Sequence, residues 1–148
     1  MAAQTTPTPL HVERVAVKTY VGRNGRGGEV RIGSSDAEGV LSPAELLQVA
    51  LAACGILSCD HTLASRLGDD FAASVNITAA KPDGEDRYSS IAIEILANMD
   101  GLEPDKQGAL IDRAQRAIDR LCTVGHTLDQ RTAHPVSIHT ESSLPGQI

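Results

Sequence analysis

Three cysteines, two arginines of a glycine-rich segment and one glutamate hold the residue types from which a reactive site is built. Cys54 and Cys59 lie in LAACGILSCD, and Cys122 stands at the end of a later amphipathic segment. The thiolate is the nucleophilic form of cysteine, and apolar burial raises a thiol pKa, so a reactive Cys54 calls for a nearby cation. Arg23 and Arg26 of GRNGRGG supply the type: a guanidinium stays charged when partly desolvated and donates to a peroxide oxygen. A carboxylate that orients the arginine completes such a set. Glu45, nine residues before Cys54, is expected on roughly the same side of a helix. Each residue also has a plain structural role: the cysteines as small core residues, the arginines as a solvated turn, Glu45 as half of a helix cap.

Cys59, five residues beyond Cys54, projects about 140° away around a helix and is expected to fill core. Cys59, Asp60 and His61 are adjacent, and His126 follows Cys122, but no C-x-x-C or H-x-x-x-H pair occurs, so no metal site and no cofactor is expected. His134 and His139 are read as surface histidines.

The elements that would position these residues follow from local pattern. Ser42, Pro43 and Glu45 form an N-cap, a first-turn proline and a capping box, which start a helix running over 42–68 to Gly68. Between Leu46 and Leu57 only Gln48 is polar, so this helix must be covered on several sides, as in a dimer. HVERVAVKTYV at 11–21 and EVRIG flank the glycine-rich turn as a two-stranded β-hairpin. Residues 71–80 and 87–97 are β-branched strands around KPDGED and are expected to pair. EPDKQGALIDRAQRAIDRLC carries a one-face helical pattern, and after the connection TVGHTLDQRTA the segment HPVSIHTE predicts a final strand. Residues 1–9 read as a disordered tail, with one domain over 10–148 and a polar end. Grouped strand and helix runs favour an α+β fold.

The chain of 148 residues is long enough for one well-buried core, and with 41% hydrophobic and 22% charged residues it is ordinary globular material. Its only aromatic side chains are Tyr20, Phe71 and Tyr88, so the core is aliphatic. A net charge of -6 opposes binding to nucleic acid. No leader-like segment is seen and uninterrupted apolar runs fall short of the ~20 residues of a membrane span. A cytoplasmic protein with free thiols is expected.

S-P-x-E-L-L with A-L-A-A-C, and L-C-T-V-G-H-T-L after the second helix, resemble the two cysteine motifs of the OsmC/Ohr family, the osmotically induced and organic hydroperoxide resistance proteins. The resemblance covers most of residues 10–141 in element order. It implies an OsmC-like α+β fold and an intertwined homodimer with its central helices between subunits. It further implies a peroxidase in which Cys54 attacks an organic hydroperoxide, Cys122 resolves the sulfenic acid as a disulfide, and a dithiol of the dihydrolipoyl type reduces it. By position the family arginine matches Arg23, with Arg26 in reserve. The peroxidases place their glutamate where this chain has Ala44, and Glu45 resembles the OsmC-like branch instead. In the second motif Thr123, Gly125 and His126 replace proline, histidine and asparagine. These departures keep a second reading open, an OsmC-fold dimer without turnover that binds a small ligand or thiol. Structural cysteines in an unrelated α+β domain are the third.

Overall fold

The computed structural model describes residues 9–140. Three short strands come first: β1 (His11–Ala16), β2 (Thr19–Arg23) and β3 (Glu29–Ile32), all antiparallel in the order β1-β2-β3. The segment 11–21 is thus two strands, not the single one expected. The chain folds back at Val17–Lys18, with Lys18 at φ 49 and Ala16 opposite Thr19. Left-handed backbone in a tight turn is ordinarily marked by Gly, Asn or Asp, and lysine gives no such signal.

Helix α1 (Pro43–Leu67) begins and ends as the local chemistry dictates. The Glu45 amide donates to Ser42 Oγ at 3.2 Å, the Ser42 amide donates to Glu45 Oε2 at 2.8 Å, and the Gly68 amide closes the last turn on the Ala64 carbonyl. Pro43 has no N–H to leave unpaired, so the two bonds satisfy two of the three donors at the helix start. Only Ala52, Gly55, Cys59 and Leu63 of its 25 residues are buried, a stripe at helical spacing. Leu47, Val49 and Leu57 remain exposed, so a single chain covers one face of the helix and leaves the others apolar and open. With this length and composition α1 also meets the requirements of a membrane span, which counting uninterrupted apolar residues had not suggested.

Strands β4 (Ala73–Ala80) and β5 (Ser90–Ala97) pair in antiparallel register, Val75 with Ile95, Ile77 with Ile93 and Ala79 with Ile91. These pairs form the half-buried face against α1, and the other face carries Asn76, which donates to Glu94. A methyl group at Gly55 would lie 2.6 Å from Ile93 Cδ1, so the missing side chain sets how closely α1 approaches β5. Helix α2 (Pro104–Leu121) buries Leu110, Ala114 and Ala117 against Cys59 and Leu63. Leu63 and Leu110, each 2% exposed, contribute about 1.5–3 kcal/mol apiece by burial.

Two further differences concern the C-terminal part. The connection after Cys122 contains a helix, α3 (Thr123–Leu128). The segment 134–140 pairs with no strand among the described residues, although Val136 and Ile138 are almost fully exposed. Among the described residues the predicted final strand is therefore absent. Its last residue, the N-terminal tail through residue 8 and the polar end lie outside the described residues.

Candidate functional site

Helix α1 carries Cys54 half-buried, while the corner between α2 and α3 carries Cys122, 4% exposed. Cys122 breaks the helical path with ψ 94, ending α2 and capping α3 at once. Its Sγ accepts the Gly125 amide at 3.4 Å and its carbonyl accepts the His126 amide at 3.0 Å. Because α3 packs on α1, the two thiols become neighbours. They are free, and not at disulfide distance.

Their environments push the two thiols apart in acidity. Hydrogen bonding from the Val124 backbone lowers the Cys54 pKa against the opposing effect of burial, and the Cys122 thiol and the Thr123 backbone add to the lowering. Burial raises the Cys122 pKa, the Gly125 amide offsets part of that, and Cys54 raises it further. Of the two thiols, Cys54 is the one favoured to lose its proton, with Cys122 as the donor to it. Cys59, 1% exposed, is raised by burial and sits in the core cluster with Leu63 and Leu110, as its helical phase predicted.

The arginine and glutamate stand elsewhere in the single chain. Arg23 donates from Nε to Glu29 at 2.9 Å and from Nη1 to Glu13 at 2.8 Å. The sheet register makes this pairing, since Glu29 lies directly across from Arg23 and Glu13 stands diagonally on the other side, two residues along from the facing His11. Arg26 is exposed in a turn organised by Asn24 Oδ1, which accepts the Arg26 and Gly28 amides. Glu45 is engaged in the capping box. Its expected placement beside Cys54 is corrected by the helix geometry: nine residues are two and a half turns, which set the two side chains on opposite sides. No cluster of metal-ligating side chains occurs among the described residues.

Side-chain motifs did not disclose the amides of Thr123 and Val124. Backbone donors have no sequence signature of their own, and only recognition of α3 would have revealed them. Beside the thiol pair a cleft of about 370 Å³ is lined by Leu51, Tyr88, Ser90, Ile91, Gly125 and Leu128. Leu51 precedes Cys54 by one turn, so the cleft borders the side of α1 that bears the thiol. A second cavity of about 290 Å³ between α1, α2 and β5, lined by Cys59, Leu63, Ile93 and Ile118, lies on the core side away from that pair.

No protein-family model matches the chain. An uncharacterised protein of Mycobacterium tuberculosis is 42% identical over 125 residues, 84% of this chain and 91% of its own length, and one of Mycobacterium bovis matches equally. Among solved structures, an OsmC-like protein from Mycoplasma pneumoniae aligns with TM-score 0.58 at 13% identity, over 84% of this chain and 88% of its own. The organic hydroperoxide resistance protein OhrB of Bacillus subtilis aligns with TM-score 0.51 at 15% identity, over 82% and 90%. The chain belongs to one family with the mycobacterial proteins, and its fold is the one seen in OsmC-like and Ohr proteins.

Proposed function

We propose that this protein is a thiol-dependent peroxidase that reduces organic hydroperoxides, with Cys54 as the attacking thiol and Cys122 as the resolving one. The observation that carries the reading is the contrast within the pair: a half-buried thiol made more acidic by backbone donors, beside a buried thiol made less so. The Cys54 thiolate attacks the distal oxygen of the hydroperoxide, forming the S–O bond as the O–O bond breaks. The leaving alkoxide takes a proton and departs as the alcohol. The Cys122 sulfur then attacks the sulfenic acid, forming the disulfide and releasing water, and an external dithiol restores both thiols by exchange. The neighbouring cleft, apolar through Leu51, Ile91 and Leu128, suits the organic part of the substrate.

In this reading the amides and the Cys122 thiol support the Cys54 thiolate, and neither Arg23, paired with two carboxylates, nor Glu45 takes a step in the single chain. The protein acts as a homodimer in the cytoplasm, where thiols stay reduced. The sheet β1-β2-β3 makes no extensive packing contact with any helix of its own chain, and α1 has an uncovered apolar face. An intertwined second copy covers both.

Thiol-dependent consumption of cumene hydroperoxide tests the proposal. Wild type is expected to turn over and Cys54→Ser to lose the activity; equal rates sink it. The ion-paired Arg23 and the capping role of Glu45 favour a second reading, a small-ligand or thiol-binding module without turnover. That module binds in the same cleft and gives no Cys54–Cys122 disulfide after a stoichiometric hydroperoxide pulse.

A further inference from the structure

At the corner between α2 and α3, one backbone donor is missing from its usual place and one side chain stands in for it. A helix continuing past Leu121 would bond the Thr123 amide to the Asp119 carbonyl, four residues back. The Cys122 amide still reaches the Ile118 carbonyl at 3.0 Å, but the extended ψ of Cys122 swings the next amide out of the ladder. The Asp119 carbonyl would then be one of the orphan acceptors of a helix end. Instead it lies 2.7 Å from His126 Nε2. A carbonyl oxygen only accepts, so the imidazole donates from Nε2.

We infer that His126 is a positioning residue: its clasp on the Asp119 carbonyl frees the Thr123 amide from α2 and holds the α2–α3 corner at the angle that presents the start of α3 to Cys54. The other contacts at the corner agree with this role. The Gly125 amide is tied to Cys122 Sγ, and a methyl group at Gly125 would lie 3.3 Å from that sulfur and in ordinary contact, 4.0 Å, with Leu51 Cδ1 of α1. Without the His126 donor, one more turn-closing bond from the Thr123 amide, four residues on, would satisfy the Asp119 carbonyl. Extending α2 by that residue turns the corner and shifts the start of α3, which packs on α1, relative to Cys54. His126 hydrogen-bonds to the Asp119 and Cys122 carbonyls and not to either sulfur, so its effect on Cys54 passes through the backbone. The hydrophobic pattern read from the sequence had no use for this residue, because it is exposed and polar.

The inference rests on Cys54 as the reacting thiol, and its test needs no hydroperoxide, so the two stand or fall separately. Peptide-resolved iodoacetamide labelling of the full chain from pH 5 to 10 follows Cys54 in His126→Ala, His126→Phe and His126→Gln. The two donorless variants are expected to slow Cys54 alkylation at pH 7 about three- to tenfold and move its midpoint upward. Glutamine, whose amide reaches the same carbonyl, is expected to stay within about twofold of wild type. A folded donorless variant with the wild-type profile, or a glutamine variant as slow as alanine, overturns the inference. A wild-type measurement decides independently of the variants: ¹⁵N spectra at pH 8 should show His126 protonated at Nε2, and an Nδ1–H tautomer overturns the clasp. Cys54 labelling that responds as expected in a protein that consumes no hydroperoxide leaves the clasp standing and removes the peroxidase.

Discussion

Replacing Glu45 by alanine removes the acceptor of the Ser42 amide, a 2.8 Å bond on a residue only 9% exposed, and the negative charge at the start of α1. A capping interaction contributes about 0.5–2 kcal/mol and a charge at a helix N-terminus about 0.3–1 kcal/mol, so the loss is set near 1–2 kcal/mol. At about 2–4 °C per kcal/mol for a domain of this size, the melting temperature falls by about 2–8 °C. Glutamine keeps the acceptor and loses only the charge, so Glu45→Gln melts within about 1–4 °C of wild type. Calorimetry measures both, and alkylation of Cys54 at pH 7 is recorded on the same samples. Both variants should retain the wild-type labelling rate, because Glu45 stands on the opposite side of α1 from Cys54. A Glu45→Gln protein that melts normally but labels at a small fraction of the wild-type rate would refute the reasoning, since the charge would then act on the thiol and not on the helix end.

The thiol asymmetry predicts that Cys54 alkylates with a midpoint below that of an ordinary cysteine, while Cys122 and Cys59 require higher pH. As pH falls, a lowered pKa keeps Cys54 as thiolate after ordinary thiols have protonated, and the inverse order of labelling contradicts the assignment. Leu63→Ala, at 2% exposure beside the cavity under α2, should lower the unfolding free energy in urea by about 2–4 kcal/mol, and a loss below about 1 kcal/mol would place the core elsewhere. Leu57, 72% exposed on α1, should be covered in a dimer. Sedimentation should give twice the 15.6 kDa chain mass for wild type and the chain mass for Leu57→Lys, and a monomeric wild type rules out the dimer.

What the sequence disclosed about this protein was local. Ser42, Pro43, Glu45 and Gly68 bound α1 because capping is chemistry within one turn of the chain. The alternation through Val75, Ile77, Ile93 and Ile95 showed β4 and β5, since one face of that pair must be apolar. Cys54 and Cys59 separated by helical phase alone. Features that depended on folding back were hidden. The turn at Lys18 has no turn residue, so β1 and β2 merged into one strand, and with them went the register that joins Arg23 to Glu13 and Glu29. Helix α3 is too short for a periodic signal, so its amides and the His126 clasp were invisible. Placing Glu45 beside Cys54 was an error of phase, corrected by half a helical turn.

A single stoichiometric pulse of cumene hydroperoxide, quenched by alkylation and read by peptide mass spectrometry, tests the central claim most directly. The account predicts a Cys54–Cys122 disulfide in wild type, a Cys54 sulfenic acid that persists in Cys122→Ser, and Cys59 recovered as a free thiol in both. Cys54 recovered unoxidised, or oxidation falling first on Cys59, would contradict it.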